Sequence, residues 1–134
     1  MKITLKSTDK LDHYSGTNED GNEIKLSGDG SAVGPMQAVL MAVAGCSTID
    51  IVMILKKMRQ QLERIEVETE GTRREEIPRY YTNIHLHYKL YGEVKEKKAT
   101  EAIELSIGKY CSVSKMLEKS SEITTSFEIL QADS

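Results

Sequence analysis

The chain has no tryptophan and a single phenylalanine, Phe127, so it offers no set of aromatic platforms on which nucleic-acid bases could stack. It has no excess of positive charge either. Lys and Arg number 18 against 21 Asp and Glu, for a formal net charge of −3. The basic field of a nucleic-acid binder is absent, and no nucleic-acid partner is expected. Histidines are few. His85 and His87 share one face of a strand pattern, but no cysteine or third histidine lies near them, so no metal site is expected. The glycines of the Gly28–Pro35 stretch do not match a dinucleotide or phosphate-loop pattern, and no cofactor is expected. The opening residues Met1 to Lys10 contain no apolar signal segment, which makes the cytoplasm the expected setting.

Cysteine is scarce too, and its placement is informative. Cys46 lies inside the long apolar stretch from Gly34 to Leu55. Cys111 lies where a second helical pattern restarts, in Lys109-Tyr-Cys-Ser-Val-Ser-Lys-Met-Leu117. In a reducing compartment a thiol pair acts transiently or catalytically rather than as a lasting disulfide. Two buried thiols can equally be small core residues. Cys111, near the start of a short helix, is placed for a lowered pKa, whereas Cys46 sits mid-helix among Ala, Gly and Ile and should stay neutral. Asp50, four residues on and on the same helix face, would oppose a Cys46 thiolate unless an arginine pairs with one of the two.

The stretch from Pro35 to Leu55 is about long enough to span a bilayer. Gln37, Ser47, Thr48 and Asp50 interrupt it, and Asp50 alone would cost roughly 2.5–3.5 kcal/mol at a bilayer centre, so no membrane association is expected.

A length of 134 residues suits a single domain, 1–134. Alternation at Ile3 and Leu5, a weaker segment at His13 to Gly16, and Asn22 to Ser27 predict three antiparallel strands, with Asp20-Gly21 as a hairpin turn. A helix follows from Pro35 to about Leu62, apolar on all sides in its first half and therefore buried all round. Strands are expected over 64–72 and 81–92, joined by the charged connector Arg73 to Arg79. Helices are expected over 97–107 and from Cys111 or Ser112 to about Lys119, with Gly108 ending or kinking the first, and a last strand over 123–130. The order predicts an α+β fold with a largely antiparallel sheet. A helix apolar on every side is hard to cover in so small a monomer, which points to a homodimer.

The Gly34 to Lys57 segment, with its Ala-Gly-Cys-Ser-Thr-Ile-Asp core, resembles the first cysteine helix of the OsmC/Ohr superfamily, most closely its branch of small OsmC-like proteins. The Arg73 to Arg79 connector, the Ile84-His-Leu-His87 strand and the Lys109 to Glu118 segment look like that branch too, so the resemblance covers nearly the whole chain from Gly34. It implies an OsmC-like α+β fold, an antiparallel sheet with two central cysteine-bearing helices, in an intertwined homodimer. It implies a thiol peroxidase for small organic hydroperoxides, with Cys46 peroxidatic, Cys111 resolving and a dithiol reductant such as a lipoyl group. The runner-up is a noncatalytic dimer binding a small apolar or thiol-reactive ligand. The family pattern also has a glutamate, near the start of the first cysteine helix, that holds an activating arginine. Here Gln37 stands at that place and no arginine occurs before Arg59, so Arg73, Arg74 or Arg79 would have to supply the charge.

Overall fold

The computed structural model describes residues 1–132 and forms two compact units, Met1–Val39 and the chain from Leu40 onward. The first unit is a three-stranded antiparallel sheet of β1 (Thr4–Ser7), β2 (His13–Thr17) and β3 (Glu23–Ser27), in that order. The weak middle segment does form a strand, paired on both edges. The β2–β3 turn closes where Gly21 takes φ +85° and the Asn18 side chain accepts the N–H groups of Asp20 and Asn22 at 3.0 and 2.9 Å.

Helix α1 (Pro35–Lys57) follows. It stops five residues short of the sequence expectation. Arg59 adopts φ +60°, Arg59 N–H bonds to Lys56 O and Gln60 N–H to Leu55 O, both at 3.0 Å. These are the two bonds of a Schellman motif, with arginine where glycine usually sits. Nor is α1 buried all round within one chain. Val43, Ser47, Ile51 and Leu55 form the buried stripe, while Met41, Ile49, Val52 and Met53 are exposed. Its length and mean hydropathy of 2.2 would suffice to cross a membrane. Its buried stripe, however, is hydrogen-bonded into the fold through Ser47, as a core helix is.

The second unit's sheet runs β4 (Gln61–Arg73), β5 (Tyr81–Glu93), β6 (Glu122–Leu130). Strands β4 and β5 are antiparallel, but β5 and β6 are parallel, so this sheet is mixed rather than antiparallel throughout. The reason is the connection. A parallel pair needs a long crossover, and α2 (Glu96–Leu105), a π-helical turn (Ser106–Tyr110) and α3 (Ser112–Leu117) supply it. Central strand β5 buries Ile84, Leu86, Tyr88 and Leu90 on one face and turns His85, His87 and Lys89 to the other. Gly108 does not end α2. It lies within the π-helical turn that α2 runs into.

Candidate functional site: a half-open thiol beside a sealed one

Ser47, next to Cys46 in α1, anchors the site. Its hydroxyl meets the Tyr88 hydroxyl of β5 at 2.6 Å and donates to Ala44 O at 3.2 Å, and both Ser47 and Tyr88 are fully buried. Burial pushes the Tyr88 phenol up to about 12, against the Ser47 hydrogen bond and with the charges of Cys111 and Asp50 adding to the rise. The π-helical turn closes on the same place. Ser106 Oγ, fully buried, lies 3.0 Å from Ser47 O and 3.2 Å from Asp50 Oδ2. Asp50 therefore has a serine hydroxyl as its neutral partner.

The same turn delivers Cys111. Its N–H donates to Ser106 O at 2.7 Å, and Cys111 then caps α3, its sulfur accepting the Ser114 N–H at 3.4 Å. A π-helical turn inside a helical segment is a frequent mark of a functional site. Cys111 is fully buried and Cys46 half-buried, and both are free thiols. Cys46 lies near enough to act on the Cys111 thiol electrostatically. The expected low pKa at Cys111 is not what the fold produces. Burial pushes its thiol up, the Ser114 groups pull it down, and the Cys46 sulfur pushes it up again. Desolvation outweighs the two hydrogen bonds at the start of so short a helix.

The supporting residues lie as follows. Gln37 accepts the Gly34 N–H through Oε1 at 2.8 Å, the backward reach of a capping-box residue at the start of α1. The arginines of the connector tie the connector to itself: Arg73 Nε to Arg79 O at 2.6 Å, Arg74 Nε to Pro78 O at 2.7 Å, Arg79 Nε to Arg74 O at 3.1 Å. Arg74 also stacks over Tyr80 at 4.4 Å and pairs with Glu76 at 3.8 Å. His85 and His87 bond Thr124, Ser126 and Glu128 across to β6, which accounts for them as a polar sheet face. Sequence reasoning missed Ser47, Tyr88 and Ser106. Tertiary packing brings them together, and no local spacing announces it.

A model of the OsmC-like protein family matches residues 28–126. The chain belongs to the OsmC family. Protein YhfA of Escherichia coli K12 is 43% identical over 122 residues, spanning 89% of this chain and 91% of that one. A solved hypothetical protein of Aquifex aeolicus superimposes with a TM-score of 0.89 at 31% identity, covering 98% of this chain and 97% of its own. An OsmC protein of Legionella pneumophila, described as an organic hydroperoxide resistance protein, shares the fold at a TM-score of 0.72 and 17% identity, covering 96% and 97% of the two chains. The family match takes in both cysteines, α1 and the whole crossover of this OsmC-like chain.

Proposed function

We propose that this OsmC-family chain is a thiol-dependent hydroperoxide reductase of the cytoplasm, with Cys46 peroxidatic and Cys111 resolving. The observation that supports it most is the pairing of two free thiols of unequal access, Cys46 half-buried and Cys111 sealed, on the two segments that Ser106 joins through Ser47 O, Asp50 and the Cys111 N–H. The Cys46 sulfur attacks the terminal oxygen of a hydroperoxide. The O–O bond breaks, the thiol proton passes to the leaving alkoxide as an alcohol, and Cys46 becomes a sulfenic acid. The Cys111 sulfur then attacks the Cys46 sulfur. The sulfenic oxygen leaves as water with the Cys111 proton, and a disulfide remains. A dithiol of the lipoyl class restores both thiols by becoming a disulfide itself. Burial and a raised pKa suit Cys111 to this order, because it stays unreactive until its neighbour is oxidised.

The working unit is a homodimer. Taking 100° per residue, Met41, Ile49 and Val52 fall within about 80° of arc on α1, an exposed apolar stripe distinct from the buried one. A second copy is the natural cover for it.

The test is a thiol count before and after brief exposure to cumene hydroperoxide. Two thiols lost per chain support the reading. Cys111→Ser should leave a sulfenic acid on Cys46 that dimedone labels, and unchanged peroxide consumption by Cys46→Ser refutes it. A second reading, a noncatalytic dimer that binds a small apolar or thiol-reactive ligand, draws on the arginines and Gln37, whose polar groups are engaged by nearby backbone. No thiol loss would favour it.

A further inference from the structure

The N-terminal unit has almost no interior of its own. Ser27 is its only buried residue, and every residue of β1 is exposed. Units of fewer than about 40 residues usually need a disulfide, a metal or a second chain to hold them. This one contains no cysteine, but one end of its sheet gathers an imidazole and three carboxylates, those of His13, Asp9, Asp12 and Asp29.

The backbone builds the cluster. The turn between β1 and β2 closes with Thr8 N–H on His13 O at 2.8 Å and His13 N–H on Lys10 O at 3.1 Å, which sets Asp9, Asp12 and His13 in one place. Gly28, just past β3, donates its N–H to Asp12 O at 2.8 Å and so holds Asp29 beside that turn. The ring of His13 is gripped on both sides. Nδ1 lies 2.9 Å from Asp9 Oδ1, while Nε2 lies 2.7 Å from Asp29 Oδ2 and 3.1 Å from Ser31 Oγ. One ligand atom each from Asp12, His13 and Asp29 lie within 4.8 Å of one another. The Asp12 carboxylate has no hydrogen bond or ion pair with any described residue.

We propose that Asp12, His13 and Asp29 bind a divalent transition-metal ion, Zn²⁺ foremost, through His13 Nε2 and one oxygen of each carboxylate, with Asp9 orienting the ring from behind. A metal-ligating histidine characteristically gives its other ring nitrogen to a carboxylate, and Asp9 stands at that place. An ion pair needs one carboxylate per imidazole. Three around a single ring leave negative charge in excess even when the ring is protonated, and a divalent ion in place of the proton between Nε2 and Asp29 balances it. Ligand atoms ~2.0–2.1 Å from a tetrahedral zinc lie roughly 3.3 Å apart, so side-chain rotation is enough to close the site. The imidazole nitrogen favours zinc over calcium and magnesium, which prefer oxygen alone. A cavity of about 470 Å³ that His13 and Ser31 line with Tyr14 and Lys25 gives the ion and its water a way in. Once bound, the ion clips the β1–β2 turn to the loop after β3.

The test is calorimetric titration of the reduced full chain with Zn²⁺. The Cys46→Ser/Cys111→Ser double variant removes the competing thiols and should still bind one ion per chain. In that background Asp12→Asn, which breaks no hydrogen bond of the fold, should weaken binding at least tenfold, and His13→Gln should abolish it. Asp9→Ala, which removes only the outer carboxylate, should weaken it by about tenfold. Saturating Zn²⁺ should also slow amide exchange at Gly28 and His13, and should leave it unchanged in Asp12→Asn, a readout that a purely structural aspartate does not move. Zinc binding that disappears with the two cysteines, or that Asp12→Asn keeps at full strength, overturns the proposal. So does binding without slowed exchange at Gly28, or no binding of micromolar Zn²⁺ by the wild-type protein.

Discussion

The buried Ser47–Tyr88 hydrogen bond makes a prediction that runs against residue propensity. Ser47→Ala replaces serine by the best helix former within α1, worth about 0.5 kcal/mol in its favour. It also leaves the Tyr88 hydroxyl buried with no partner, where it now meets Ser47 Oγ at 2.6 Å. An orphaned buried hydroxyl costs about 1–3 kcal/mol, so the net loss is about 0.5–2.5 kcal/mol. Tyr88→Phe removes the other half of the pair. Ser47 keeps its bond to Ala44 O at 3.2 Å, no buried group is stranded, and the cost is about 1 kcal/mol or less. The double variant should be close to Tyr88→Phe alone, which gives a coupling between the two sites of about 1 kcal/mol.

The assay is urea unfolding of all four proteins, read as midpoint shifts at constant slope. A second axis is pH. The folded pKa of Tyr88, about 12, lies above its ordinary value of 10.0. Stability from the neutral phenol is therefore complete below pH 10 and is lost as pH rises towards 12. At pH 11 the wild-type protein should have lost about 1.4 kcal/mol that Tyr88→Phe keeps. If Ser47→Ala is no more damaging than Tyr88→Phe, and the two alkaline limbs coincide, the hydroxyl pair does not brace the thiol site.

Two further outcomes follow from the first unit and the start of α1. Gln37→Ala should cost about 0.5–1 kcal/mol by freeing the Gly34 N–H, whereas Gln37→Glu keeps the acceptor and adds a charge that the helix start favours, so its thermal midpoint should match or exceed the wild type. His13 bonds Asp29 at 2.7 Å and Asp9 at 2.9 Å, and these bonds raise its pKa above 6.5; the Asp29 carboxyl is lowered by Ser31 first and His13 second, and that of Asp9 by His13. The β2–β3 sheet should therefore be best protected in hydrogen exchange between about pH 4 and 6.5. It should lose protection as pH rises through the His13 pKa and as it falls through those of the carboxyls, and His13→Asn should flatten the neutral limb.

The elements themselves were largely legible. Alternation at Ile84, Leu86, Tyr88 and Leu90 places β5, and the buried face of that strand follows it residue by residue. What the sequence hid were features that depend on partners far along the chain. The end of α1 was overrun because its C′ position is arginine, and nothing local signals that Arg59 will take a left-handed conformation. The parallel pairing of β5 and β6 depends on how the crossover packs, which no strand pattern records.

At the site, the two cysteines stood out because thiols are so few here, but neighbours along the chain misled about Cys111. Cys111 looked activated because it precedes a helix. A helix of six residues offers little field, and full burial outweighs it, so the residue with the better local signature has the less available thiol. Cys46, whose neighbours in the chain are apolar, is half-buried. Local sequence reports what a side chain is next to along the backbone, whereas thiol chemistry depends on what surrounds the sulfur in space. For Asp50 that difference is the whole of its role. Read along the chain it is a charge opposing Cys46, and in the fold it is bonded by Ser106, on the turn that delivers Cys111 to the site.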